Sequence, residues 1–157
     1  MQRLRHQRRD EKSNIFALIM ATLTSTITEA VTINGKSLGN TIEKSVASVN
    51  NIYQTVLSVK TAGMVNIIGF APAGAEEMGT IDDGDLKYLR VTNLGANSIS
   101  LQLSDGSNLS KLKIAAGESF VYFSDQADTG SGSIAQLDSI KAQADIAECQ
   151  VEVFIGY

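Results

Sequence analysis

The chain of 157 residues has no tryptophan, one proline, one cysteine and one histidine, and each scarcity removes a class of function. A lone cysteine, Cys149, cannot close an internal disulfide, and zinc sites of the usual histidine and cysteine type lack their ligands. The single histidine, His6, stands in the N-terminal leader, so a serine or cysteine triad in the body has no base. Without tryptophan the chain does not suit a lectin that stacks sugars on indole rings. No glycine-rich phosphate cradle follows a strand and opens a helix, so nucleotide binding has no motif behind it. No cofactor is therefore expected, and no catalytic residue is assigned. There is no internal repeat and no low-complexity tract long enough to be a linker.

What is present is alternation. Ile99, Leu101 and Leu103 alternate with Ser98, Ser100, Gln102 and Ser104. Asp105-Gly106-Ser107-Asn108 then reverses the chain toward Leu112 and Ile114. A period of two buries one face of a strand and wets the other. The same signal marks strands over Leu86 to Leu94, Leu109 to Ala115, Glu118 to Ser124 and Glu148 to Tyr157, separated by turns rich in glycine and asparagine. Cys149 falls in register with Val151, Val153 and Ile155, which predicts a small buried hydrophobe rather than a nucleophile. Short strands at this spacing predict an all-β chain, an antiparallel β-sandwich of jelly-roll-like form with a short N-terminal arm. The length suits one domain able to bury its own core. The division expected is a basic and apolar extension over 1–19 and a single β-sandwich domain over 20–157.

The leader departs from the body in charge. Arg3, Arg5, Arg8, Arg9 and Lys12 outweigh Asp10 and Glu11 by three, so the remainder carries minus seven of the net minus four. An acidic body repels phosphates, hence no specific nucleic-acid binding by the body is expected, and the arginines are the candidates for an assembly arm. Ile15 to Ala21 is an apolar run too short to span a bilayer, and no membrane partner is expected. A cationic segment before an apolar one also fits a secretory signal, but Asp10 and Glu11 interrupt it and Thr22 to Thr28 offers no small-residue cleavage site. Met20-Ala21-Thr22 fits equally the beginning of a protein preceded by a dispensable extension. Extension, assembly arm and signal all stay open.

From Thr22 the alternation runs for twelve residues, with Thr22, Thr24, Thr26, Thr28 and Thr32 on one side and Leu23, Ile27, Val31 and Ile33 on the other. Threonine is β-branched and half polar, so this is a strand with a wet face and, if it is an exposed edge, a candidate surface for pairing with a neighbouring subunit. Asn34-Gly35 supplies the two positive-φ positions of a type I′ hairpin, with the return strand starting near Lys36. Between residues 41 and 58 two readings compete. Ile42, Val46, Val49, Tyr53 and Val56 recur at helical spacing, whereas the β-branched residues favour a strand over 41–48, a turn or short helix over 50–53 and a strand over 54–60. Met64 to Phe70 reads as a strand, Ala71 to Gly84 as a loop, and Ile134 to Ala144 as a short helix built on Leu137, Ile140 and Ala144.

Two weak chemical motifs remain. Asp128-Thr129-Gly130 matches the signature of aspartic proteases, which need two such aspartates and hence a homodimer here, while a plain Gly-Ser-Gly loop explains the same residues. Asp82-Asp83-Gly84-Asp85 clusters carboxylates, but no bidentate acid follows at the calcium-loop spacing, so a solvated turn accounts for it better. Phe120, Tyr122 and Phe123, joined by Tyr88, are candidates for a ligand groove or for core packing.

The phrases themselves resemble a family. Met20-Ala21-Thr22-Leu23-Thr24-Ser25-Thr26-Ile27-Thr28-Glu29 with Asn34-Gly35-Lys36, then Tyr88 to Leu94, Asn97 to Leu101, Ala115 to Phe120, Leu137 to Ala142 and Val151 to Ile155, are similar to small virion structural proteins of tailed, especially marine, bacteriophages. The likeness covers about Met20 to Tyr157, and residues 1–19 depart from it. It implies a non-enzymatic assembly subunit of the virion, a capsid decoration or cement protein, or else a tail, neck or fibre-associated one. The partners implied are other virion proteins and further copies of the chain in a homo-oligomer. A carbohydrate- or receptor-binding sandwich is the alternative from another class.

Overall fold

The computed structural model describes residues 21–71, 80–124 and 137–157. Thirteen strands follow in chain order: β1 (Ala21–Thr28), β2 (Thr32–Ile33), β3 (Lys36–Ser37), β4 (Thr41–Val49), β5 (Ile52–Val59), β6 (Val65–Ala71), β7 (Thr80–Asp82), β8 (Tyr88–Asn93), β9 (Ile99–Ser104), β10 (Leu109–Ile114), β11 (Ser119–Phe123), β12 (Ser139–Ala144) and β13 (Cys149–Gly156). The expected all-β sandwich is what forms. A four-stranded sheet, β11-β8-β13-β5, faces a five-stranded one, β10-β9-β12-β6-β7. Eight of these strands, β5, β13, β8 and β11 opposite β6, β12, β9 and β10, stand in the order of a two-Greek-key jelly roll. Strand β7 adds to it by pairing parallel to β6.

Period-two patterning explains why the sheets meet as they do. Leu89 and Val91 of β8, Val151, Val153 and Ile155 of β13 and Val59 of β5 point from one sheet into the core, against Ile99, Leu101, Ile140, Ala142 and Ala144 from the other. The residues between them, Ser100, Gln102, Lys141 and Gln143, lie on the outer face and are half-exposed. Cys149 is buried in the same core.

The two readings of 41–58 resolve in favour of strands, with only Asn50 and Asn51 between β4 and β5. Other expectations need correction. The strand read over Thr22 to Ile33 is interrupted, as β1 stops at Thr28 and β2 starts at Thr32. The loop read over Ala71 to Gly84 contains β7, a strand too short to show a period. The helix read over Ile134 to Ala144 is, from Ser139 onward, the central strand β12, hydrogen-bonded to β9 and β6. There Ile140, Ala142 and Ala144 are the buried set, a period of two that the single spacing from Ile140 to Ala144 also satisfies. Alanine, lysine and glutamine are poor strand formers, and pairing on both sides overrides that preference.

One buried polar residue ties the two sheets at their corner. Asn93, fully buried at the end of β8, donates from Nδ2 to the carbonyls of Asn97 (2.7 Å), Ala115 (3.1 Å) and Ile114 (3.2 Å). Its Oδ1 accepts from the Gly95 amide at 3.0 Å. Its backbone receives Gly117 N–H and donates to Glu118 O. The β8–β9 and β10–β11 connections therefore share a single side chain. Replacing it by alanine takes this partner from the Gly95 amide and from three carbonyls, of which Ala115 O keeps the Glu118 amide and Asn97 O the Cys149 thiol, so Asn93→Ala is expected to cost about 2–4 kcal/mol in urea unfolding.

The β9–β10 turn is organised by Asp105, whose carboxylate accepts from the Ser107 amide, the Asn108 amide and the Asn108 side chain. Those bonds, the Asn108 side chain first, hold its carboxyl below the ordinary value of 3.8. A lowered native value means stability that is present above the unfolded value and lost as pH falls through the native one. In thermal melts, Asp105→Asn should lie below wild type at neutral pH, and the gap should close on acidification below pH 3.8.

Candidate assembly surface

Ahead of the sandwich stands a hairpin. β1 pairs with β4 from Leu23 opposite Val46 to Thr28 opposite Thr41. The same register continues through Leu38 N–H to Val31 O (2.9 Å) and Thr32 opposite Ser37 to the Asn34-Gly35 turn. Both turn residues have positive φ, 51° and 78°, as the type I′ geometry requires. The interruption between β1 and β2 is tight: a Cβ on Gly39 would lie 2.1 Å from Glu29 O, so only glycine fits there. At the base, an irregularity between Ala21 and Leu23 sets three β4 steps against two of β1, and Ser48, at φ 58°, takes up the bend.

A uniform register sorts the hairpin into two faces. Thr22, Thr24, Thr26 and Thr28 share one with Ser45, Glu43 and Thr41, all exposed, with Thr28 and Thr41 hydroxyls 3.4 Å apart. Thr32 lies in the tip beside Ser37. These threonines thus form the wet face of a ribbon, while β1 also has one edge that pairs with no other strand among the described residues. Leu23, Ile27, Val31 and Ile33, opposite Val46, Ile42, Leu38 and Lys36, form the other face, with the polar pairs Ser25–Lys44 and Glu29–Asn40 between them.

That apolar face is half covered. Its base lies across the outer face of the four-stranded sheet, along the rung Ile52–Gly156–Tyr88–Phe123. Gly156 has no side chain where Leu23 and Val49 press closest, each 3.3 Å from where a Cβ would be. Farther along, Ser45, Val46 and Ala47 meet Lys87 and Ser124 around a cleft of about 310 Å³, and the Lys44 ammonium stands 5.7 Å from the Phe123 ring centre. Tyr88 and Phe123, edge to face at 5.2 Å, are only 6% and 7% exposed although they point away from the core. Beyond Lys44 cover ends. Ile27, Val31, Ile33, Leu38 and Ile42 are 46–61% exposed.

The aromatic candidates therefore divide. Tyr88 and Phe123 sit under the hairpin, whereas Phe120 and Tyr122 point to the core side, where burial raises the Tyr122 phenol. They do not line one groove. On the same outer face Arg90 pairs with Glu152 (2.6 Å) and lies 5.5 Å from the Phe154 ring centre, and Gln54 also binds Glu152. Asp82 to Asp85 form a turn in which Asp82 Oδ1 accepts the Gly84 amide, and no group of three metal-ligating side chains occurs among the described residues. His6, the arm candidates Arg3, Arg5, Arg8 and Arg9, and Asp128-Thr129-Gly130 lie outside the described residues.

The surface that sequence reasoning passed over is the apolar face of the hairpin. Its signal was in plain view as the residues alternating with the threonines, but alternation alone does not say whether the fold supplies a cover. No family model, curated protein or solved structure matches the chain.

The packing at Gly156 gives a test of how the hairpin is seated. Gly156→Val should lift its base, speeding amide hydrogen exchange at Val46 to Val49 at least tenfold while β9 and β12 amides keep their protection.

Proposed function

We propose that this chain is a structural subunit of a tailed-phage virion, acting by protein–protein contacts, with capsid decoration or cementing as its role ahead of a tail, neck or fibre position. The observation that carries the assembly reading is the hairpin. A two-stranded ribbon is marginal in water, and one that leaves five aliphatic side chains about half bare has an apolar surface that monomeric proteins seldom expose. Burying the rest of each side chain is worth roughly 1 kcal/mol, so the five together supply about 5 kcal/mol to whatever covers them.

The class of particle comes from the resemblance of the strand and turn phrases to phage virion proteins, and the jelly roll, an architecture used in viral capsids, is compatible with it. Fold alone does not assign function, since lectins share the architecture. A glycan-binding module would want aromatic rings open to solvent, and Tyr88 and Phe123 lie beneath the hairpin.

Mass spectrometry of purified particles should find the chain in fixed stoichiometry to the major capsid protein. Its absence from particles overturns the reading, and recovery with isolated tails instead would move it to the tail. Replacing residues 29–39 by a two-residue turn is expected to abolish incorporation into particles while the circular dichroism of the body is kept.

A further inference from the structure

The hairpin has a direction. Its base meets Gly156 of β13 first, then Lys87 and Ser124 beside the ends of β8 and β11, then Phe123 of β11, so it crosses the sheet from the β5 side toward the β11 edge. Eight residues per strand, Glu43 back to Lys36, then continue past that edge, a reach of about 25 Å at the usual rise. A four-stranded sheet is about 15 Å across its strands. The hairpin is thus long enough to reach onto the edge of a second sheet placed alongside the first.

The outer face of this chain's own sheet carries what such a span requires. Ile52 and Val56 of β5 point outward and are each 52% exposed, on the edge opposite β11. They are the first apolar side chains a hairpin would meet on crossing from the β11 edge of one subunit to the β5 edge of the next. The base of the hairpin already sits on Gly156, the neighbour of Ile52 on its rung, whereas Val56 lies on the rung of Glu152. In the next copy Gly156, Tyr88 and Phe123 lie under that copy's own hairpin, so the distal part meets the edge left open, where Ile52 and Val56 are bare.

We infer that the partner covering the hairpin is a second copy of this chain: Ile27, Ile42, Val31, Ile33 and Leu38 of one subunit lie over Ile52 and Val56 on the four-stranded sheet of the next. The contact is head to tail, so every subunit both gives a hairpin and receives one, and repetition closes a ring or extends a chain. The inference rests on reading the hairpin as an assembly element, but not on the identity of the particle.

Sedimentation of the full chain tests it. Wild type should self-associate at concentrations up to about 100 µM, within the range for an interface of standard size. Ile27→Asp with Ile42→Asp on the hairpin, and separately Val56→Asp on the receiving face, should each weaken association at least about 30-fold. All three positions are half-exposed, and unchanged circular dichroism shows that the fold persists. An equimolar mixture of the two variants keeps one intact contact, the hairpin of the Val56→Asp chain on the face of its partner, so it should associate more weakly than wild type and stop at the one-to-one heterodimer. Ile42→Cys with Val56→Cys should cross-link between copies on oxidation, Cys149 being buried.

A wild type that stays monomeric at 100 µM overturns the inference, as does a Val56→Asp variant that associates normally, or a mixture that assembles beyond two subunits. Rings formed by a chain that is absent from particles would uphold the contact and end the virion role, whereas particles carrying monomers would do the reverse.

Discussion

The apolar core holds two sheets that share no strand face to face, and one buried amide fixes the corner where their connections meet. Asn93 carries no solvent exposure and uses both ends of its side chain, three carbonyls on Nδ2 and the Gly95 amide on Oδ1. Two hydrogens serving three acceptors means that they are shared, a geometry that works only if the β8–β9 and β10–β11 connections are both in place. The corner is also tight. A Cβ on Gly95 would sit 2.7 Å from Cβ and Sγ of Cys149, so the chain after Asn93 passes directly over the start of β13. Cysteine is thereby used as a small core side chain, and its thiol faces the carbonyls of Asn97 and Ala147.

From this corner the two sheets run with their apolar faces together, and that much was readable in the order of residues. Ile99, Leu101 and Leu103 announce β9, and Asn34-Gly35 announces its turn, because in each a local requirement and the global fold agree. Legibility fails where one period imitates another. Ile42, Val46, Val49, Tyr53 and Val56 are spaced like a helix face, yet they belong to two strands and to both sides of a sheet. The bulge near Ser48 and the Asn50-Asn51 turn shift the count by odd steps. In β12 the alanines at 142 and 144 give too little apolar contrast to reveal alternation, and only the strands on either side make it a strand.

The hairpin shows a different limit. Its alternation was legible from Thr22 to Ile33, and the threonine residues do form its wet face. What no local pattern encodes is the length of the ribbon relative to the body beneath it. Leu23, Val46 and Val49 find the outer rung of the sheet, while Ile27 and Ile42, with the same register and chemistry, lie past its end. Burial is a property of where the strand leads.

For the proposed contact, the cost of association sets how many contacts each subunit needs. Five half-bare aliphatic side chains supply about 5 kcal/mol, which is near the lower bound of the freedom lost when two molecules associate. A single hairpin laid on a single face is therefore weak. Closing a ring adds one contact that forms without a further loss of translational freedom, and the whole becomes stable although each part is marginal. On that proposal, the weakness of the single contact also leaves a lone subunit unpaired until a ring can close. Lys36, Glu43 and Lys44 work in that direction too, since charges along an exposed ribbon oppose the uncontrolled edge pairing to which bare strands are prone. Threonine on one face, and on the other aliphatic residues interspersed with Ser25, Glu29, Lys36 and Lys44, describe a strand pair whose half-bare surface suits the proposed neighbour.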